Sequence, residues 1–119
     1  MGKLGRIFGS LGNERGHRSE SLALLALRAG PVPDWLRSVE KAPWDLDRRG
    51  VDLIVASDVG KLYLQIKSSM AGARRFEAKP RRLPIAVVVE DPRDEDPVIR
   101  DRLIGAAAEL RRRFLLKRG

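Results

Sequence analysis

Apolar residues along this chain recur at changing intervals, and each interval predicts a different secondary structure element. Residues 19–29 are rich in Leu and Ala, begin at the capping residue Ser19 and end before Gly30, which predicts a helix. Because leucines fall on nearly every side of this helix, we expect it to be largely buried. A second helix is predicted after Asp96 and Pro97, residue types favoured at a helix start. Its apolar positions follow helical spacing: Ile99, Leu103, Ala106, Leu110 and Phe114.

Between these helices, shorter apolar runs are typical of β-strands. Strands are predicted at 35–41, 51–56, 61–67 and 83–90. Residues 57–60 indicate a hairpin turn, and residues 61–67 alternate strictly between apolar and polar side chains. The predicted strand at 83–90 contains the continuous apolar run 85–89, as expected for a strand covered on both faces. With a short helix near 71–78, the order α-β-β-β-α-β plus a C-terminal helix predicts an α/β fold with a mixed central sheet flanked by helices.

The chain length of 119 residues allows one domain. We assign this domain to residues 19–119 and treat residues 1–18, which are basic and rich in glycine, as an N-terminal arm. The simplest interpretation of the arm is a mobile leader. The alternative is a segment that lies along a phosphate backbone or completes a dimer.

Charge and composition narrow the classes of function. Lys and Arg number 24 against 16 Asp and Glu, and the net charge of +8 favours a polyanionic partner, with nucleic acid ahead of an anionic membrane. The chain has no cysteine and a single histidine, His17, which excludes disulfide scaffolds, zinc fingers and thiolate nucleophiles. No apolar run approaches the ~20 residues that span a bilayer, and no secretory signal is recognisable. We therefore expect a cytoplasmic protein with no membrane partner.

The candidate chemistry lies in the predicted hairpin. Asp52 interrupts an apolar strand, and a buried carboxylate needs a partner because its desolvation is costly. Gln65 and Lys67 are two residues apart and so project from one face of the next strand. Pairing of the two strands would bring a carboxylate, an amide oxygen and an ammonium together. Such a group can hold a divalent cation beside an amine, which suits attack of water on a phosphodiester.

This pattern resembles the signature of the PD-(D/E)xK nuclease superfamily. Asp52 is followed, after 12 intervening residues, by Gln65-x-Lys67. The strings RGVDLI at 49–54 and LQIK at 64–67 are most similar to the Mrr-like restriction endonucleases and the archaeal Holliday-junction resolvases. The resemblance covers roughly residues 16–90 and implies the restriction-endonuclease-like core, whose element order matches the one predicted above.

The resemblance also implies roles for individual residues. Asp52 would be a metal ligand, helped by Glu20 on the first helix, and the backbone carbonyl of Ile66 would complete the shell around Mg²⁺ or Mn²⁺. Gln65 occupies the second acidic position, and Lys67 is the catalytic lysine. Because Gln65 is not charged, the site has one carboxylate fewer and should hold Mg²⁺ more weakly.

Simpler explanations exist for each of these residues. Asp52 could pair with Lys67 or Arg49 across the hairpin, while Gln65 and Lys67 could be ordinary residues of a solvent-facing strand. The helix dipole alone accounts for an acid at Glu20. The basic pairs indicate a solvated surface or phosphate contacts. The arginines predicted to bind nucleic acid are Arg18, Arg48, Arg49, Arg74, Arg75, Arg81 and Arg82.

Three hypotheses follow from these residues. The first is a Mg²⁺-dependent nuclease that hydrolyses DNA rather than RNA, working as a homodimer because one small core cannot enclose duplex DNA. The alternative is a non-catalytic nucleic-acid-binding module of the same fold with a degraded active site, an interpretation motivated by Gln65. The third is a small arginine-rich protein of the RNA machinery, in which the hairpin residues are incidental.

Overall fold

The computed structural model describes residues 21–79, 83–91 and 93–118, and its elements form an α/β fold built on one mixed sheet. The sheet has four strands in the order β1-β2-β3-β4, so that each strand pairs with its neighbour in the sequence. In chain order the elements are α1 (21–28), β1 (Leu36–Lys41), α2 (Trp44–Asp47), β2 (Leu53–Ser57), β3 (Gly60–Lys67), α3 (Met70–Ala78), β4 (Ile85–Val89) and α4 (Asp96–Arg118).

The predicted hairpin is confirmed. Strand β2 pairs with β1 and with β3 in the antiparallel sense, and the β2–β3 register runs from Leu53 opposite Leu64 to Ser57 opposite Gly60. The turn requires glycine at its end because Gly60 has φ +117°. The Ser57 hydroxyl accepts the N–H of Val59 at 3.2 Å and donates to the carbonyl of Gly60 at 2.7 Å, which fixes the turn.

The hydrophobic core lies on one face of the sheet. Helices α1 and α4 pack on this face, where alternate residues of β2 and β3 point towards them. Three of the five predicted α4 positions, Ile99, Leu103 and Leu110, are buried. Ala107 fills the remaining buried position, whereas Ala106 and Phe114 are only partly covered.

Two predictions about burial are corrected by the structure. The first helix is not buried on nearly every side, because only the stripe of Ala23, Ala26 and Leu27 meets the sheet, and Leu25 on the opposite side is 59% exposed. In β4, only Val88 is buried, because this strand lies at an edge of the sheet. An apolar run therefore predicts a strand with helices near both faces, but not complete burial.

Helix α3 connects β3 to β4, which pair in the parallel sense, and it packs near the end of β3 on the face opposite the core. Its N-terminus is capped by Ser69, whose hydroxyl accepts the N–H of Gly72 at 3.0 Å. The Phe76 ring lies against Gly50, which has φ +94°. A side chain at Gly50 would place its Cβ 2.7 Å from the ring, so both backbone angle and space require glycine there.

The predicted arm at 1–18, and with it the domain boundary, lies outside the described residues. The same holds for the start of the first predicted helix. Within the described ranges, no helix combines the length and the apolar character needed to cross a bilayer.

Candidate functional site

Asp52 lies directly before β2, where the backbone ladder between β2 and β3 ends. Its N–H donates to the carbonyl of Leu64 at 2.8 Å, and its carboxylate Oδ2 accepts the N–H of Ile66 at 2.7 Å. The side chain therefore substitutes for the backbone acceptor that a longer β2 would provide. The residue is 9% exposed, so the Ile66 N–H offsets part of the cost of burying a carboxylate.

Gln65 lies opposite Asp52 when the β2–β3 register is continued by one residue. It is 7% exposed, and within the described part of the chain its Oε1 atom is buried without a hydrogen-bond partner. A Cβ built on Gly50 would lie 3.5 Å from this oxygen, so the amide faces the turn that precedes Asp52. An unpaired buried acceptor is costly, and native structures contain few of them.

Lys67 follows Gln65 on the same face of β3 and is half-exposed. Its Nζ atom lies 5.5 Å from the centroid of the Phe76 ring, within the range of a cation–π contact. The ammonium therefore lies over a ring of α3, on the face of the sheet that also carries Gln65. The hairpin places Asp52 and Gln65 opposite each other at the end of the paired strands β2 and β3. Lys67 lies two residues further along β3, at the more accessible side.

The backbone of Ile66 also faces this group. Its N–H points to Asp52 across the strand boundary. Because the N–H and C=O of one residue in a strand point to the same neighbouring strand, the Ile66 carbonyl is directed to the Asp52 side as well. Three groups whose oxygen atoms suit metal coordination thus lie at one end of the hairpin: the Asp52 carboxylate, the Gln65 amide and the Ile66 carbonyl.

Not every predicted ligand can be placed. Glu20 lies outside the described residues, as do Arg18, Arg81 and Arg82. Among the residues that the structure describes, no group of three or more histidine, cysteine or acidic side chains is arranged to hold a metal ion. Within the described residues, the candidate metal ligands at the hairpin are therefore one carboxylate and two neutral oxygens.

Four of the predicted phosphate-binding arginines are exposed. Arg48 and Arg49 precede Gly50, and Arg74 and Arg75 precede Phe76, so the contact between Gly50 and Phe76 holds both pairs near the hairpin end. Across the described ranges, none of the four forms an ion pair. The run at 111–113 differs, because Arg111 pairs with Asp58 at 2.8 Å while Arg112 and Arg113 pair with Glu109.

Sequence reasoning missed a second buried acid, Glu90. It is 1% exposed, and both carboxylate oxygens lack a hydrogen-bond partner among the described residues. Burial, with a smaller repulsion from Asp94, raises the pKa of Glu90 to about 7. Its backbone N–H donates to the carbonyl of Lys67 at 2.8 Å, so its backbone lies next to the end of β3. The available sequence signal for Glu90 was an acidic residue at the end of an apolar run, comparable to Asp52, which interrupts such a run.

We found no match to this chain among protein-family models, curated proteins or solved structures.

Proposed function

We propose that this protein is a nuclease of the restriction-endonuclease-like fold that hydrolyses DNA phosphodiester bonds with a divalent metal ion. The observation that carries the proposal is the buried Gln65 Oε1, which has no hydrogen-bond partner in the described part of the chain and lies on the same face as Asp52. A hard cation such as Mg²⁺ or Mn²⁺ prefers oxygen ligands. Binding of such an ion would satisfy this oxygen and compensate the buried carboxylate.

The residues at the hairpin end fit this role. Asp52, Gln65 and the carbonyl of Ile66 would hold the ion, while Glu20, predicted as a further ligand, lies outside the described residues. When bound, the ion supplies charge that polarises the phosphate and acidifies a water molecule. Lys67 positions the attacking water and stabilises the negative charge that develops on the phosphate oxygens. Its partial exposure gives the DNA phosphate an approach to the site from the lysine side.

The exposed arginines near the site supply the affinity for DNA. Arg48, Arg49, Arg74 and Arg75 lie on the two segments that meet at Gly50 and Phe76, and none of them is committed to an acid in the described structure. Binding through them should weaken as salt rises, because phosphate contacts release counterions. We further propose that two copies act together, since one small domain contacts only one side of a duplex.

A second candidate function is a DNA-binding module with this fold and no catalysis. Gln65 favours it, because with glutamine at this position only one carboxylate is present at the described part of the site. A single carboxylate binds Mg²⁺ weakly. Salt-sensitive DNA binding without cleavage in any divalent ion would select this function over the first.

Cleavage should depend on Lys67. In Mg²⁺ or Mn²⁺ the wild-type protein should cut labelled DNA, and excess chelator should abolish the activity. Lys67→Ala should lower the cleavage rate by roughly a hundredfold, because it removes a preorganised donor from the reacting phosphate. Lys61→Ala is the matched control, since Lys61 lies on the same face of β3 at its exposed end. Equal activity of both variants would contradict the proposed role of Lys67.

A further inference from the structure

The most exposed large apolar side chain in the described ranges is Trp44, which is 71% exposed. The guanidinium of Arg48 lies over its ring, 4.7 Å from the centroid, within the range of a cation–π contact. The other tryptophan, Trp35, behaves differently: it is partly buried against the hydrophobic core and stacks with Arg111 at 5.4 Å. Trp44 thus contributes little to the core and presents an aromatic face to solvent.

Trp44 belongs to the segment that leads into the candidate site. Helix α2 begins at Trp44, and backbone hydrogen bonds connect its surroundings to Asp52. The Ala42 N–H donates to the carbonyl of Asp52 at 3.0 Å, and the Val51 N–H donates to the carbonyl of Leu46 at 3.0 Å. Trp44 therefore belongs to the same short segment whose backbone hydrogen bonds position Asp52, the proposed metal ligand.

The charges around Trp44 favour a nucleobase over a phosphate group as the partner of its ring. Asp45 and Asp47 are exposed in the same helix, and no ion pair within the described structure neutralises them. These acids disfavour a phosphate at the indole itself, whereas the phosphate contacts proposed above fall to Arg48 and Arg49, which follow α2. The flat face of an uncharged nucleobase has no such penalty, and stacking of a base on an aromatic side chain contributes ~1–3 kcal/mol.

We propose that Trp44 stacks on a single unpaired nucleobase, so that the preferred substrate is DNA in which an unstacked base lies next to a duplex. The inference rests on the proposed function, because it assigns the kind of DNA that the same site engages. With six aromatic residues in the chain, a platform for several successive bases is not available, whereas one aromatic side chain is enough for one base. Arg48 lies over one face of the indole, so the base would stack on the other face.

The proposal is tested by DNA binding in the Lys67→Ala background, which keeps the substrate intact in Mg²⁺. Two labelled probes are compared: a continuous duplex and the same duplex with a short single-stranded gap. Trp44→Ala should weaken binding to the gapped probe by roughly 5- to 150-fold, with little change for the continuous duplex. Trp44→Phe should retain most of the preference. Leu116→Ala, at another exposed apolar position, should change neither affinity.

Several outcomes would overturn the role of Trp44. They are an equal loss on both probes, no loss on either probe, no binding of any DNA, or a change in oligomeric mass on Trp44→Ala that identifies an interface between copies. Failure of the proposed nuclease function can be distinguished from failure of the role proposed for Trp44. A protein that prefers gapped DNA through Trp44 but never cleaves it retains the stacking role without catalysis, whereas a protein that cleaves with unchanged preference after Trp44→Ala retains only the nuclease.

Discussion

Replacing Asp52 with asparagine should lower the rate of metal-dependent DNA cleavage by roughly a hundredfold or more, with the fold intact. Asparagine keeps a side-chain oxygen that can accept the Ile66 N–H, which Asp52 Oδ2 accepts at 2.7 Å. The substitution therefore removes the negative charge while preserving the hydrogen bond. What is lost is the attraction for a divalent cation, which depends strongly on the number of charged ligands. The single-turnover cleavage rate of labelled DNA in Mg²⁺ measures this effect.

The matched control for this substitution is Asp47→Asn. Asp47 is exposed at the end of α2, in the segment that precedes Asp52, and the same charge is removed there without touching the site. The cleavage rate of Asp47→Asn should stay close to that of the wild type. Thermal unfolding should show that the wild type, Asp52→Asn and Asp47→Asn are all folded. If Asp52→Asn cleaves DNA as fast as Asp47→Asn, the carboxylate serves only as a hydrogen-bond acceptor for β3.

The second large effect concerns the pH dependence of stability. Glu90 has a folded-state pKa raised from 4.5 to about 7 by burial. Below pH 4.5 Glu90 is protonated in both the folded and the unfolded state, so it does not lower the free energy of unfolding there. As pH rises towards 7, the unfolded state ionises first, and stability is lost progressively until the folded-state pKa is passed. The loss from this one group is roughly 3 kcal/mol.

Glu90→Gln should remove this loss, because glutamine does not ionise. The free energy of unfolding, measured by denaturant at a series of pH values, should therefore diverge between variant and wild type from pH 4.5 to 7, with the variant gaining. Glu77→Gln is the control, since Glu77 is an exposed residue of α3. Parallel pH profiles for Glu90→Gln and the wild type would mean that Glu90 is not held neutral in the folded protein.

Local patterns predicted the hairpin well because both its determinants are local. The strict alternation of residues 61–67 assigns one face of β3 to the core, and the turn at 57–60 sets the register with β2. Once the register is fixed, Asp52 must lie opposite Gln65. The relation between these two residues was therefore accessible before any coordinates.

Burial was less predictable because it depends on contacts between distant segments. Leucines on several sides of α1 cannot show that only one stripe meets the sheet, so the exposure of Leu25 was missed. The low exposure of Gln65 was likewise inaccessible, as was the position of Phe76, which follows from the way α3 crosses between two parallel strands. The burial of Glu90 was equally inaccessible, because an acid at the end of an apolar run is as often exposed beyond the strand.

The most direct test of the proposed site is the position of a bound metal in crystals of the protein grown or soaked with Mn²⁺. Anomalous scattering should show one ion coordinated by the Asp52 carboxylate, Gln65 Oε1 and the Ile66 carbonyl, at distances near the ~2.1 Å typical of Mg²⁺-like ions. An ion bound elsewhere on the protein, or a Gln65 oxygen that stays out of contact with any metal at saturating Mn²⁺, would contradict the proposed centre.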